Sequence, residues 1–174
     1  MKKNLENQKL LSVNKSFVME PFYIRDGRAP IPVKNSTSRV MSANKSKNTL
    51  PELTLRKALW LNGIRGYRLH WKKVVGNPDI AFPSKKIAVF VNGCFWHRCP
   101  NCQPSYPKTN EIFWGNKFAN NIERDKQIKE QLENSGWKVI VIWECEIKKD
   151  ILKSVIQIKD SITQKEFQRR GVNG

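Results

Sequence analysis

The sequence predicts a mixed α/β fold in which a central sheet is flanked by helices. Helical and strand-like patterns follow one another in the order helix, three strands, helix, strand, helix, with no internal repeat. The apolar runs at 87–91 and 139–143 are strand-length, too short for a membrane-spanning helix. The chain has 174 residues, 39% of them hydrophobic and six of them Trp, enough for one core and a tail and too apolar for global disorder.

Residues 1–48 form the tail. They are rich in Lys, Asn and Ser, contain Pro21, Pro30 and Pro32, and lack sustained periodicity. Ten basic residues against three acidic ones make this stretch a basic, mostly irregular arm that orders on a partner. A solvated tail without function is the plainer alternative. Lys2 and Lys3 are followed by Asn, Glu and Gln rather than an apolar run, so no signal peptide is expected.

The folded part, 49–174, opens with Thr49-Leu50-Pro51-Glu52, a capping-box pattern with Pro near the first helical position. Leu53, Lys57, Trp60, Leu61 and Ile64 recur at helical spacing, and Gly63 and Gly66 close the helix. Residues 67–75 alternate as a strand, and Gly76-Asn77-Pro78 forms a turn. Residues 79–82 and 86–91 read as strands in a hairpin-like arrangement across Pro83-Ser84. Residues 110–134 form the longest helix, carrying Phe113, Phe118, Ile122, Ile128 and Leu132, with Gly136 as its stop. The nearly continuous apolar run 137–143 predicts a strand buried on both faces. Ile151, Val155, Ile158 and Ile162 mark a final helix.

With 32 Lys and Arg against 15 Asp and Glu, the formal charge is +17, which points to a polyanionic partner and first to nucleic acid. Ribosomal and membrane-surface proteins share that trait. Between Glu52 and Glu111 the only acid is Asp79, among ten Lys and Arg. A phosphate-binding surface has little use for a carboxylate unless it holds a divalent cation against the phosphate. Pro78-Asp79, then a hairpin, then an apolar strand resembles the core of restriction-endonuclease-type nucleases. A plain turn aspartate is the other reading.

Cys94-x4-Cys99-x2-Cys102 brings three thiolates within reach of one ion, and Cys145, at the end of a predicted buried strand, could close a tetrahedral structural zinc site; four reduced, partly buried cysteines without metal are the plainer alternative. With no export signal the four cysteines are expected reduced rather than bridged. His97, between the first two, is either a further ligand or, since the cysteines already number four, a free imidazole suited to general-base chemistry. His70, in Arg68-Leu69-His70-Trp71, reads as structural or DNA-facing. The neighbours Phe95 and Trp96 either pack over the zinc loop or wedge between base steps of a duplex.

These segments resemble the very short patch repair (Vsr) endonucleases. The resemblance is carried by Gly93-Cys94-Phe95-Trp96-His97, Pro78-Asp79 and Trp143-Glu144-Cys145. It continues in Ser46-Lys47-Asn48-Thr49, Pro51-Glu52, Lys108-Thr109-Asn110, Phe113-Trp114, Asn121-Ile122-Glu123-Arg124-Asp125 and Gly136-Trp137-Lys138-Val139. It runs in order over 37–147, and residues 1–36 lie outside it.

The resemblance implies a restriction-endonuclease-like fold and a magnesium-dependent enzyme that nicks one strand beside the thymine of a T:G mismatch. Such mismatches arise when 5-methylcytosine deaminates, so the functional companion is a cytosine-5 DNA methyltransferase. Asp79 becomes the magnesium-binding carboxylate and His97 the general base. Val91 stands where the family offers a main-chain carbonyl to the metal. Glu52 matches a glutamate near the active site, and Asn92 replaces a residue that can be His. Phe95 and Trp96 match the aromatic wedge, and Met41 an apolar residue inserted from the N-terminal arm. Cys94, Cys99, Cys102 and Cys145 match the structural zinc site, where the family often has one His.

Arg65, Arg68, Lys72 and Lys73 are expected on phosphates. A monomer suits an asymmetric lesion, and a cytoplasmic, nucleoid-associated location in a bacterium is expected, with no membrane partner. Competing readings are a double-strand restriction endonuclease, a non-catalytic zinc-stabilised nucleic-acid-binding protein, and an RNA- or ribosome-associated basic protein.

Overall fold

The computed structural model describes residues 45–170, with side chains as far as Gln168. Most of the N-terminal arm, Met41 included, lies outside the described residues.

Helix α1, Leu50–Leu61, starts where the sequence signals it. The Glu52 carboxylate turns back to accept the Thr49 N–H at 3.3 Å and the Thr49 hydroxyl at 2.9 Å, the return half of a capping box. The strand expected at 67–75 is cut to two residues, β1 at Arg68–Leu69, because His70 takes a left-handed φ of +43° that no extended strand allows. β2 is Ile80–Phe82, and a 3-10 turn at Pro83–Lys85 leads into β3, Ile87–Asn92. Helix α2, Glu111–Asn134, crosses to β4, Lys138–Trp143. A short helix that the sequence reading passed over, α3 at Glu144–Lys149, precedes α4, Ile151–Arg170. Cys145 thus sits in the first turn of α3 rather than at a strand end; Glu146 starts that turn by accepting the Trp143 N–H at 2.9 Å.

The four strands form one mixed sheet in the order β1-β2-β3-β4. β1–β2 and β2–β3 are antiparallel, with Ile80 opposite Val89. β3 and β4 are parallel, with Val91 opposite Ile142. The long β3–β4 connection carries the cysteine loop and α2, as a parallel pair requires.

One sheet face is closed. Ile80, Phe82, Ile87, Val89, Ile140 and Ile142 pack there with Leu55 and Leu59 of α1, Ile147 of α3, and Val155 and Ile158 of α4. The inward stripe of α1 therefore differs from the expected one. Leu53, Trp60 and Leu61 are exposed, while Glu52, Leu55 and Leu59 point inward. This helix is apolar on several sides, so spacing alone leaves its orientation ambiguous; the bonds that Glu52 accepts turn that side in.

The opposite face is less covered. Val139, Val141 and Trp143 of β4 are only half-buried, so the strand is not sealed on both sides as its composition suggests. α2 passes over them carrying Asp125, Lys126 and Lys129, and a hollow of about 350 Å³ remains between helix and sheet. Ile122, placed on the core stripe by its spacing, is 48% exposed. No described helix is long and apolar enough to cross a membrane.

Candidate functional site

A cleft of about 970 Å³ runs along the ends of β2 and β3. It is bordered by the segment leading into α1, the turn before β2, the loop after β3 and one face of α2. Asp79, Glu52, His70, Val91, Asn92, His97 and Trp96 all line it. The carboxylate and the imidazole singled out by the sequence therefore share one cavity.

Asp79 ends the Gly76-Asn77-Pro78 turn. Gly76 has φ +77°, and a side-chain carbon there would overlap Ile128 of α2 and press on the Phe90 ring. Only glycine lets this turn seat against α2 and β3, which points the next carboxylate into the cleft. The Val91 N–H donates to Asp79 Oδ2 at 2.8 Å. Burial pushes the Asp79 carboxyl up to about 6; that N–H bond, Arg56 and His97 pull the other way, while Glu52 adds to the rise. A partly dehydrated carboxylate of this kind gains from a cation.

Glu52, His70 and Asp79 offer ligand atoms that all lie within 4.8 Å of one another. Glu52 is already well supplied with donors. Besides Thr49 it accepts the Asn48 N–H at 3.0 Å and pairs with Arg56 Nη2 at 2.7 Å. Arg56 Nη1 also donates to Asn48 Oδ1 at 2.6 Å. Burial, followed by the Arg56 charge, lowers the pKa of His70. Three non-glycine residues on the cleft wall, Asn48, His70 and Asn77, hold positive φ angles of 55°, 43° and 46°. Such residues cost roughly 1–3 kcal/mol each and concentrate at functional sites.

His97 lies across the cleft in the loop after β3. Its Nδ1 faces Asp125 Oδ2 in a short contact. Asp125 accepts, so Nδ1 carries the hydrogen and Nε2 keeps its lone pair, the tautomer of an oriented base. Lys117, Asn121 and Asp125 follow at intervals of four along α2, and all border the cleft. The Asn121 side-chain amide donates to the Trp96 carbonyl at 2.9 Å, tying the loop to the helix. Asn121 and Asp125 lie in a segment that carries the family resemblance but were given no role by the sequence reading, and Arg56 and the placement of His70 between two carboxylates were missed. The four-residue spacing on α2 was the available signal for the first two.

The cysteines converge beneath that loop. The Sγ atoms of Cys94, Cys99, Cys102 and Cys145 all lie within 4.8 Å of one another, and Cys99 and Cys145 are 3.7 Å apart. A tetrahedron of Zn–S bonds near 2.3 Å has edges of about 3.8 Å, so the cluster fits a structural zinc ion. Burial opposes ionisation of Cys99, yet the N–H groups of Cys102 and Asn101, together with the Cys145 and Cys102 thiols, outweigh it and favour the thiolate. Burial pushes the Cys94 thiol up.

Phe95 and Trp96 belong to an aromatic cluster on α2. The Phe95 ring meets those of Trp96, Trp114 and Phe118 at 5.2, 5.4 and 5.3 Å, and Trp96 meets Trp114 at 5.9 Å. Both are half-buried, and Trp96 faces the cleft. Lys45, Lys47 and Lys117 are also on the cleft wall. Arg68, Lys72 and Lys73 are exposed, whereas Arg65 lies over the Trp60 ring at 3.5 Å and donates to the Trp60 carbonyl.

A family model described as DNA mismatch endonuclease Vsr matches residues 31–103. The chain is 41% identical over 135 residues to the Type II nicking enzyme V.NaeI of Lentzea aerocolonigenes, covering 75% of this chain and 80% of that protein. It is 41% identical over 131 residues to the Type II nicking enzyme V.NmeAIP of Neisseria meningitidis, covering 72% and 93%. Identity to the DNA mismatch endonuclease Vsr of Escherichia coli is 30% over 115 residues, covering 66% and 73%.

Proposed function

The chain belongs to the Vsr family of DNA mismatch endonucleases and is an endodeoxyribonuclease; from that premise we propose that it nicks one strand of duplex DNA beside the thymine of a T:G mismatch. The observation that carries this reading is the shared cleft, with a partly dehydrated carboxylate at Asp79 on one wall and the Asp125-oriented imidazole of His97 on another.

The scissile phosphate sits between them, attracted by Lys45, Lys47 and Lys117. Asp79 and the Val91 carbonyl would hold magnesium, which when bound polarises the phosphate and stabilises charge on the leaving oxygen. His97 Nε2 takes the proton of the attacking water, and Asp125 steadies the imidazolium that results. Glu52 acts through Arg56 and the start of α1, since its oxygens already accept several donors. Asn92 borders the same cleft and is available to the phosphate or its water.

Zinc on the four cysteines braces the loop that presents His97, Phe95 and Trp96. The two aromatics act as the wedge by leaving part of their contact with Trp114 and Phe118 for the base stack. A T:G wobble is unstacked at lower cost than a matched pair, which adds selectivity. Met41 from the arm completes the wedge. Arg65, Arg68, Lys72 and Lys73 contact phosphates outside the cleft and give binding a steep salt dependence. The enzyme acts as a monomer in the bacterial cytoplasm, on lesions left by a cytosine-5 DNA methyltransferase.

The test is a cleavage assay on T:G, U:G and C:G duplexes with and without magnesium. The expected result is a single nick, on T:G in preference to C:G and only with magnesium. Linear double-strand product on matched DNA would instead identify a restriction endonuclease. Unchanged DNA behaviour of Asp79→Ala would identify a non-catalytic binder.

A further inference from the structure

His70 stands between Glu52 and Asp79, and its neighbours decide which ring nitrogen carries the proton. Arg56 Nη2 lies 2.9 Å from His70 Nε2. Two acceptors, Asn48 Oδ1 at 3.4 Å and Glu52 Oε2 at 3.5 Å, also face Nε2 from farther away; because a guanidinium only donates, the closer Arg56 contact favours Nε2 as acceptor and the ring hydrogen on Nδ1. Nδ1 faces Asp79 Oδ1 at 3.7 Å. The other oxygen of that carboxylate, Oδ2, already accepts the Val91 N–H, so the two contacts define the plane of the group from both sides.

The backbone is arranged to the same end. The His70 N–H donates to the Asp79 carbonyl at 3.3 Å, and β1 stops at Leu69 so that His70 can adopt φ +43°. A residue with a Cβ holds that conformation only where its surroundings enforce it. Here the strained residue is the one whose ring links α1 to the Asp79 carboxylate.

We propose that His70 is a positioning residue of the cation site: its Nδ1–H tautomer orients Asp79 Oδ1, and Arg56 and Glu52 lock that tautomer from α1. The proposal rests on the reading of Asp79 as the cation-binding carboxylate. A carboxylate oxygen has two lone-pair directions, so Oδ1 can accept Nδ1–H on one and face a cation on the other. Hydrogen bonds of this kind are commonly long before the ligand binds and tighten on it. Supporting groups behind a metal ligand are typically worth about 10–100-fold in metal affinity.

The experiment measures manganese binding by the paramagnetic signal of the free ion, on the full zinc-loaded chain without DNA. His70→Gly keeps the left-handed backbone and removes the ring; His70→Asn tolerates the same backbone and restores a donor. His70→Gly is expected to weaken manganese binding about tenfold or more, with partial recovery in His70→Asn. The magnesium concentration for half-maximal nicking should rise in parallel, while the rate at saturating magnesium changes less. Nitrogen NMR of the wild type should find the hydrogen of His70 on Nδ1.

Wild-type manganese affinity in His70→Gly, with affinity lost in Asp79→Asn, would overturn the role of His70 and leave the site reading intact. An Nε2–H tautomer would also overturn it. Asp79→Asn binding manganese as tightly as wild type would remove the parent reading instead.

Discussion

Replacing Asp79 by Asn should stabilise the magnesium-free protein while abolishing its chemistry. The carboxyl titrates at about 6 in the folded chain, against 3.8 for the ordinary group, chiefly because it is buried. The folded state therefore holds the proton more tightly than the unfolded state. Stability from this group is present below pH 4, declines as pH rises from 4 to 6, and is fully lost above 6. A difference of about two pKa units at 1.36 kcal/mol each gives a penalty of roughly 3 kcal/mol at neutral pH. The side chain is 20% exposed, so solvent relieves part of it. Asn keeps an acceptor for the Val91 N–H and carries no charge, while its amide then faces the His70 Nδ1–H, which offsets part of the gain. Thermal unfolding at pH 7.5 in magnesium-free buffer should show a gain of about 1–3 kcal/mol, a rise in Tm of several degrees, shrinking toward pH 4. Added magnesium should stabilise the wild type and not the variant. Nicking should fall by about two orders of magnitude or more. A variant less stable than wild type at pH 7.5, or one that still nicks, would refute the account of a charge held in a dehydrated cation site.

His97→Ala should keep about one zinc per chain and slow single-turnover nicking by about two orders of magnitude, the usual worth of a general base; loss of zinc would mean a ligand had been removed. Asp125→Asn should slow nicking without weakening DNA binding, read by a gel-shift titration beside the cleavage assay. Cys99→Ser should lower zinc content and Tm together, because a metal held by four thiolates would couple its binding to folding of the loop. Changing Phe95 and Trp96 together to Ala should reduce discrimination of T:G from C:G more than affinity for matched duplex; equal losses would leave the pair as packing for α2 alone. Gly76→Ala should destabilise by about 1–3 kcal/mol, since it meets both a positive φ and the Ile128 side chain.

Much of the architecture was legible along the chain. The capping box at Thr49 and Glu52, the paired apolar strands and the long helix up to Gly136 are local patterns, and the folded chain realises each of them. The parts of the site were legible as well. A lone carboxylate among cations, three cysteines at ligand spacing and one free imidazole are statements about composition and spacing, which folding does not alter.

What the sequence by itself determined was thus a mixed α/β chain and part of the chemical inventory of its cleft and cysteine loop. Tertiary structure alone decided the pairings. The β3–β4 crossover brings Asp125 to His97 across 28 positions and Cys145 to Cys99 across 46. His70 acquires its place between two carboxylates only because β1 breaks off and α1 turns its Glu52 side inward. An apolar helix with several candidate faces, or a histidine in a short strand, carries no local signal of its final neighbour. Periodicity is encoded between residues a few positions apart, whereas a catalytic or positioning contact is made between elements and exists only once they have packed.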